Sequence, residues 1–317
     1  MAVGASRGSD GQASARSDRL TTRLKRRLRS QSTVAWAFVA PAAVAMLLVA
    51  LVPVLYAAGM SLFTYNEYTR QGFSGLQNYS QALADEQFWP AIQMTFTFTC
   101  VSVTLEFLIG LGFALIMAHT FFGRSLTRVV ILVPWVIPSV IAAQMWYFMF
   151  NIQPGFITSV LTFMPRDFNW LGQPGWTLFA VIVADVWKTA PFMALLLLAG
   201  LQSIPRELYE AARVDGATAW PRFFHVTLPL LRPTIFVALM FRTVDALRVY
   251  DLPKVMTNGT FGTQSLSMLV EQYLVVTIDP GIGAALAVLT FAIVLGVGVV
   301  FVLLLARNLG FGAQGGQ

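Results

Sequence analysis

The chain has 317 residues, of which 56% are hydrophobic and only 11% charged, with a mean hydropathy of +0.67. An average soluble domain carries about 25% charged residues, and a soluble fold this poor in charge would leave large apolar patches in water; a bilayer is the solvent that suits it. The formal net charge is +6 and Cys100 is the only cysteine, which excludes an intrachain disulfide and a cysteine-based metal cluster.

Residues 1–33 form a tail rich in Gly, Ser, Ala and Arg, expected to be cytoplasmic, with Leu20, Leu24 and Leu28 at spacing four among its basic residues. Two readings stay open: a short interfacial helix lying on anionic lipid, or a basic topology anchor with incidental leucines. A cleavable signal peptide is not expected, because the basic stretch is long and the apolar run after it exceeds an h-region. From there to residue 309 the sequence reads as one six-span domain, with a short tail at 310–317. The apolar runs are Trp36–Leu62, Ile92–Ala118, Leu126–Phe150, Leu178–Gly200, Leu231–Leu252 and Ala284–Ala306. Each approaches the roughly 20 residues needed to cross a bilayer core, and unpaired backbone polar groups are excluded from lipid, so the runs are predicted as helices. The alternation of a β-barrel is missing. The fold class is therefore all-α and membrane-spanning.

Orientation follows from the basic residues. Arg7, Arg16, Arg19, Arg23, Lys25, Arg26, Arg27, Arg29, Arg124, Arg128, Arg206, Arg213, Arg222, Arg232 and Arg307 fall on one side; Arg70, Arg166, Arg248 and Lys254 fall on the other. The positive-inside rule then makes both termini cytoplasmic. This asymmetry accounts for the net charge and gives no reason to invoke nucleic acid.

Charges inside spans are expensive and by default functional. Asp185 and Lys188 are three apart in the fourth span, and Arg242 and Asp245 are three apart in the fifth. Each pair can share a helix face, so each either neutralises itself at a helix interface or faces a solute. At about 1.5 Å per residue the four lie roughly 15–23 Å above the cytoplasmic end. Glu106 in the second span is a lesser candidate, and His119 and His225, at cytoplasmic edges, have no assigned role.

Between these spans lies a cytoplasmic connection, 201–233, of different character. Pro205 can begin a helix, Glu207 and Glu210 complement its N-terminal dipole, and Gly216 can take the left-handed conformation that ends it. Pro221 is expected to start a second short helix carrying Phe223 and Phe224, and Pro229 to break the chain before the fifth span. Two short helices at an angle suit a groove in a partner protein.

Glu210-Ala211-Ala212, then Asp215-Gly216-Ala217, the aromatic pair Phe223-Phe224 and Leu228-Pro229 resemble the EAA motif of binding-protein-dependent importer permeases. Gly75-Leu-Gln-Asn-Tyr79, Arg124-Ser-Leu-Thr-Arg128 and Asp245-Ala-Leu-Arg-Val-Tyr-Asp251-Leu-Pro253 extend the likeness over nearly the whole chain after Val34. The pattern is that of the maltose permease type, without its large external domain. The resemblance implies the type I ABC importer permease fold with a coupling helix between the fourth and fifth spans. It assigns coupling to Glu207, Glu210, Ala211, Ala212, Asp215, Gly216, Phe223, Phe224 and Pro229. By distance from Glu210 it assigns sugar contact to Asp185, Lys188, Thr189, Phe192, Arg242 and Asp245. It implies a disaccharide such as trehalose, with another sugar or glycerol phosphate as the alternative. It also implies a second homologous permease, two ATPase subunits holding ATP and Mg, an external solute-binding protein, and placement in the inner membrane. Two segments depart from the family pattern. Gly155 is followed by Phe156, Ile157 and Thr158 where an Asn is usual, and Met256-Thr-Asn-Gly259-Thr-Phe-Gly262 replaces a glycine-rich Leu-Thr-Gly-Gly-Gly-Pro-Gly.

No Gly-x-x-x-x-Gly-Lys-Ser/Thr loop is present, so ATP hydrolysis must come from another chain. A membrane enzyme would need a catalytic or metal-binding set that is missing. A secondary transporter would need an internal repeat, and none is evident across the six runs.

Overall fold

The computed structural model of the chain describes residues 31–308, apart from 120, 152–154, 162–164 and 166–167. Helix α1, Gln31–Met60, begins inside the stretch expected to be tail; Leu20, Leu24 and Leu28 and the tail 310–317 lie outside the described residues. Its apolar segment Ala35–Met60 has 26 residues, enough for a bilayer core of about 30 Å. Trp36, Phe38, Met46 and Val49 are exposed, as on a helix that is apolar on every side and has lipid for solvent. Residues up to Ala57 form one compact unit and those from Ala58 a second.

The second unit opens with a hairpin that the sequence reading did not contain: β1, Phe63–Asn66, pairs antiparallel with β2, Thr69–Phe73. Asn78, on helix α2 (Gln77–Ala84), donates to the carbonyls of Ser61 and Phe63 at 2.8 and 2.9 Å and ties the hairpin down. Helix α3, Phe88–Ala118, then packs along a later span described below as α7, Trp176–Gln202. Gly110 permits this approach: a Cβ there would lie 2.8 Å from Cγ of Met193. The core between them and their neighbours is built on Phe98, Ala143, Trp146, Phe150, Ala180 and Ala184.

The third span, expected as one helix over Leu126–Phe150, is broken. Helices α4, Arg124–Val136, and α5, Ser139–Phe150, meet at 93°. Pro138 has no N–H to return to the carbonyl of Pro134, and it drives the residue before it out of the helical region; Ile137 and Pro138 are accordingly extended, with ψ of 129° and 140°. A short helix α6, Phe156–Val160, precedes α7.

After α7 comes α8, Arg206–Val214. The fifth span also differs from expectation. Helix α9, Ala219–Arg222, starts two residues before Pro221, passes through a π-turn at Phe223–Thr227 and continues as α10, Leu228–Ala246. The N–H of Leu228 reaches the carbonyl of Phe223. In a regular helix the Pro229 ring would collide with the carbonyl four residues back; the widened turn accommodates it, so Pro229 does not break the chain. The span therefore ends at Ala246, not Leu252, and a turn leads into α11, Asp251–Thr257. Helix α12, Leu266–Glu271, and a π-turn Gln272–Val276 precede the last span, α13, Pro280–Asn308. Among the described residues five helices are long and apolar enough to cross a membrane, or six with the bent pair taken as one span.

The segment that departs from the glycine-rich family pattern has left-handed backbone at Asn258, Gly259, Phe261 and Gly262, with φ of 48°, 79°, 53° and 79°. Glycine suits such a run because it has no Cβ. Here Asn258 fills one position as the next most tolerant residue, and Phe261 holds the conformation against its own steric preference.

Candidate functional site

Three helices meet at one guanidinium. Helix α3 supplies Glu106, α7 supplies Asp185, and α10 supplies Arg242 and Asp245. Arg242 grips Glu106 with two bonds, Nε to Oε2 and Nη2 to Oε1, the second at 2.9 Å. Its Nη2 also donates to Asp185 Oδ2, and its Nη1 to Asp245 Oδ2 at 2.8 Å. The planar fork of arginine suits this division, with one edge for a bidentate carboxylate and the remaining N–H groups for others. The side chains of Arg242, Glu106 and Asp185 are 2%, 0% and 6% exposed, whereas Asp245 is 74% exposed. The first three thus form a buried set and Asp245 is its exposed edge. Burying ions without partners is prohibitive, so the presence of each depends on the others.

The in-helix pairing expected from spacing is half right. Arg242 and Asp245 do bond, but Asp185 turns to Arg242 on the neighbouring helix and not to Lys188. Lys188 makes no ion pair among the described residues. Glu106, the lesser candidate, is the principal partner of Arg242. Sequence spacing finds neighbours on one helix; these contacts span 57 and 136 residues.

A cavity of about 320 Å³ opens beside the cluster, lined by Asp185, Lys188, Thr189, Arg242 and Asp245. These are five of the six expected sugar-contact residues. Phe192 does not line it; its ring stacks behind Trp135 at 5.7 Å and 19°, and Trp135 forms the wall. Ser139 and Trp135 reach the cavity because they flank the bend at Pro138, and Arg248, Tyr250 and Asp251 because the span ends at Ala246. The sequence reading missed these residues for the same two reasons. Thr189 Oγ1 is occupied with the Asp185 carbonyl at 2.6 Å. On the wall itself Asp185, Asp245 and Asp251 oppose Lys188, Arg242 and Arg248, so its formal charges balance. The wall thus offers donors, acceptors and the aromatic side chains of Phe98, Trp135 and Tyr250.

The segment expected to couple to a partner lies at the other end of these helices. Pro205 caps α8, Glu207 lies in its first turn, and Glu210 lies one turn further on, beyond the reach of the helix dipole expected for it. The helix ends in a Schellman motif: Ala217 N–H reaches the Ala212 carbonyl at 2.9 Å, Gly216 N–H reaches the Arg213 carbonyl at 3.0 Å, and Gly216 has φ of 78°. Tyr209 and Thr227 hydroxyls meet across the bend at 3.1 Å. Trp220 stacks on Phe224 at 5.9 Å, with Phe223 edge-on to it at 5.0 Å. Val214, Trp220 and Phe224 are 88%, 72% and 51% exposed. Glu207, Glu210, Ala211, Asp215 and Gly216 are exposed as well, while Ala212 and Phe223 are partly buried. Pro229 is partly buried just past the π-turn.

A family model described as binding-protein-dependent transport system inner membrane component matches residues 107–311. The trehalose/maltose transport system permease protein MalF of Thermococcus litoralis is 42% identical over 286 residues, covering 89% of this chain and 96% of that protein. The trehalose transport system permease protein SugA of Mycobacterium tuberculosis is 40% identical over 290 residues, covering 91% and 92%. The crystal structure of a bacterial ABC transporter involved in the import of the acidic polysaccharide alginate contains a chain that superposes with a TM-score of 0.76 at 24% identity, covering 90% of this chain and 99% of that one. At that identity the likeness speaks for the fold.

Proposed function

The chain belongs to the family of binding-protein-dependent transport system inner membrane components, and from that membership we propose that it is the transmembrane subunit of an ATP-driven importer of a neutral sugar, a disaccharide such as trehalose. One observation carries the choice of solute: the cavity beside Arg242, set midway along α7 and at the C-terminal end of α10, joins hydroxyl-binding groups of both signs to the aromatic side chain of Trp135. Carboxylates accept from sugar hydroxyls and cationic groups donate to them. The relatives named for trehalose and maltose support the disaccharide reading. The balanced charges of the wall leave no cationic surplus to favour glycerol phosphate or an acidic sugar.

In this reading Asp185, Lys188, Thr189, Arg242 and Asp245 contact the sugar, and Phe192 acts through Trp135. The ATPase lies on separate subunits, which hold ATP and Mg. The complex comprises this chain, one homologous permease, two such ATPase subunits and an external solute-binding protein, with both termini of this chain on the cytoplasmic side of the inner membrane. Glu207, Glu210, Ala211, Ala212, Asp215, Gly216, Phe223 and Phe224 dock on the ATPase, with Pro229 setting the turn behind them. Exposed Val214, Trp220 and Phe224 support that surface, since apolar groups of this size gain by being covered.

The test is uptake of radiolabelled di- and monosaccharides in a strain lacking this chain, complemented with the wild type. Trehalose uptake should be restored, and a tenfold excess of a neutral disaccharide should compete where a sugar phosphate does not. Complementation for the phosphate alone would reverse the assignment. Purification of the chain as an active carrier without any ATPase would instead establish a secondary transporter.

A further inference from the structure

Glu106 is fully buried, does not line the cavity, and spends both carboxylate oxygens on Arg242. We infer that Glu106 is a positioning residue for solute recognition: by holding the guanidinium from behind, it keeps Arg242 from claiming the two carboxylates, Asp185 and Asp245, that border the cavity. This rests on the cavity being the sugar site.

The argument is one of competition for a fixed number of N–H groups. Arg242 has five donors and meets three carboxylates. Two bonds go to Glu106, one to Asp185 and one to Asp245. Arg242 takes only Oδ2 of Asp185 and only Oδ2 of Asp245, so it holds neither bidentately. If the Glu106 charge is removed, nothing on the α3 side balances the guanidinium. It then closes bidentately on Asp185 or Asp245, whose second oxygens are withdrawn from the cavity. Charge-assisted bidentate pairing is the stronger state open to it. Glu106 thus acts on a sugar it never touches, through Arg242 and through Asp185, the cavity-lining carboxyl group that lies beside it.

The experiment uses the assembled importer in vesicles with radiolabelled trehalose as probe, and reads KM and the maximal rate separately, beside the yield of purified complex. Glu106→Gln keeps the shape and removes the charge. A rise in KM of about tenfold, the effect of one lost charge-assisted hydrogen bond, is expected, with complex yield and maximal rate close to wild type. Glu106→Asp, which keeps the charge on a shorter arm, should fall between them. A wild-type KM in Glu106→Gln overturns the inference. So does loss of complex in both Glu106→Gln and Glu106→Asp, which makes the residue structural. Asp185→Asn separates the two levels of the argument: if it raises KM while Glu106→Gln does not, only the positioning role falls; if neither moves KM, the cavity is not the sugar site and both fall.

Discussion

Arg242 is where a single substitution does most damage. Arg242→Ala strands Glu106 and Asp185 as buried carboxylates, and breaking a buried ion pair from one side costs about 3–5 kcal/mol, so the complex should be lost from detergent extracts. The triple change Glu106→Gln, Asp185→Asn and Arg242→Met removes the charges together. It should restore complex yield without restoring transport, as measured by yield and vesicle uptake in parallel; restored uptake would make the cluster purely structural. Gly216 is a different case. No atom lies within 4 Å of a Cβ built there, so Gly216→Val pays only for left-handed backbone, about 1–2 kcal/mol. The Schellman closure that aims α8 against α9 would open, while the buried helices are untouched. Complex yield should persist and substrate-stimulated ATPase activity should fall; normal stimulation in reconstituted vesicles would remove this bend from coupling.

At the scale of elements, the bend between α4 and α5 sets two walls of the cavity through Trp135 and Ser139. Pro138→Ala returns the missing N–H, and the two helices, together about 25 residues at 1.5 Å each, should straighten toward one rod. Spin labels at the exposed positions Leu126 and Phe148 should then move apart by several ångströms and uptake should fall; an unchanged distance would assign the bend to tertiary packing. This bend also marks the limit of what was legible. Hydropathy located the spans other than the fifth to within a few residues, and Gly216 announced its cap correctly, because burial and left-handed backbone leave local marks in composition. Averaged hydropathy is blind to a fold in mid-run, although Pro134 and Pro138 carried the signal. Pro229 misled in the opposite direction, since a π-turn can absorb a proline that a regular helix cannot. The partners of Asp185 and Glu106 were out of reach because they are set by packing of α3 and α7 around Gly110, and no spacing rule encodes which face meets which. The β1–β2 hairpin escaped for a simpler reason: its strands are four and five residues long and carry no clear alternation.

For the molecule as a whole, the proposed topology has both ends on the cytoplasmic side, and it predicts that alkaline phosphatase fused at either terminus should be inactive while a fusion in the β1–β2 turn should be active. Activity at a terminus would invert the topology. The continuity of the helix from Ala219 through the π-turn to Ala246, 28 residues in all, then has a mechanical meaning. Arg242 lies 19 residues along the axis from Phe223, about 28 Å at 1.5 Å per residue. A shaft of that length pivoting at its Phe223 end through about 5° sweeps its far end through roughly 2.5 Å, whereas a hydrogen bond is lost once its atoms part beyond about 3.5 Å. The grips on Asp185 and Glu106 therefore have less travel than the shaft. A rotation too slight to repack a helix face would suffice to detach Arg242 from one of its carboxylates, so the span would serve as a lever whose short stroke at one end reads out as a lost contact at the other.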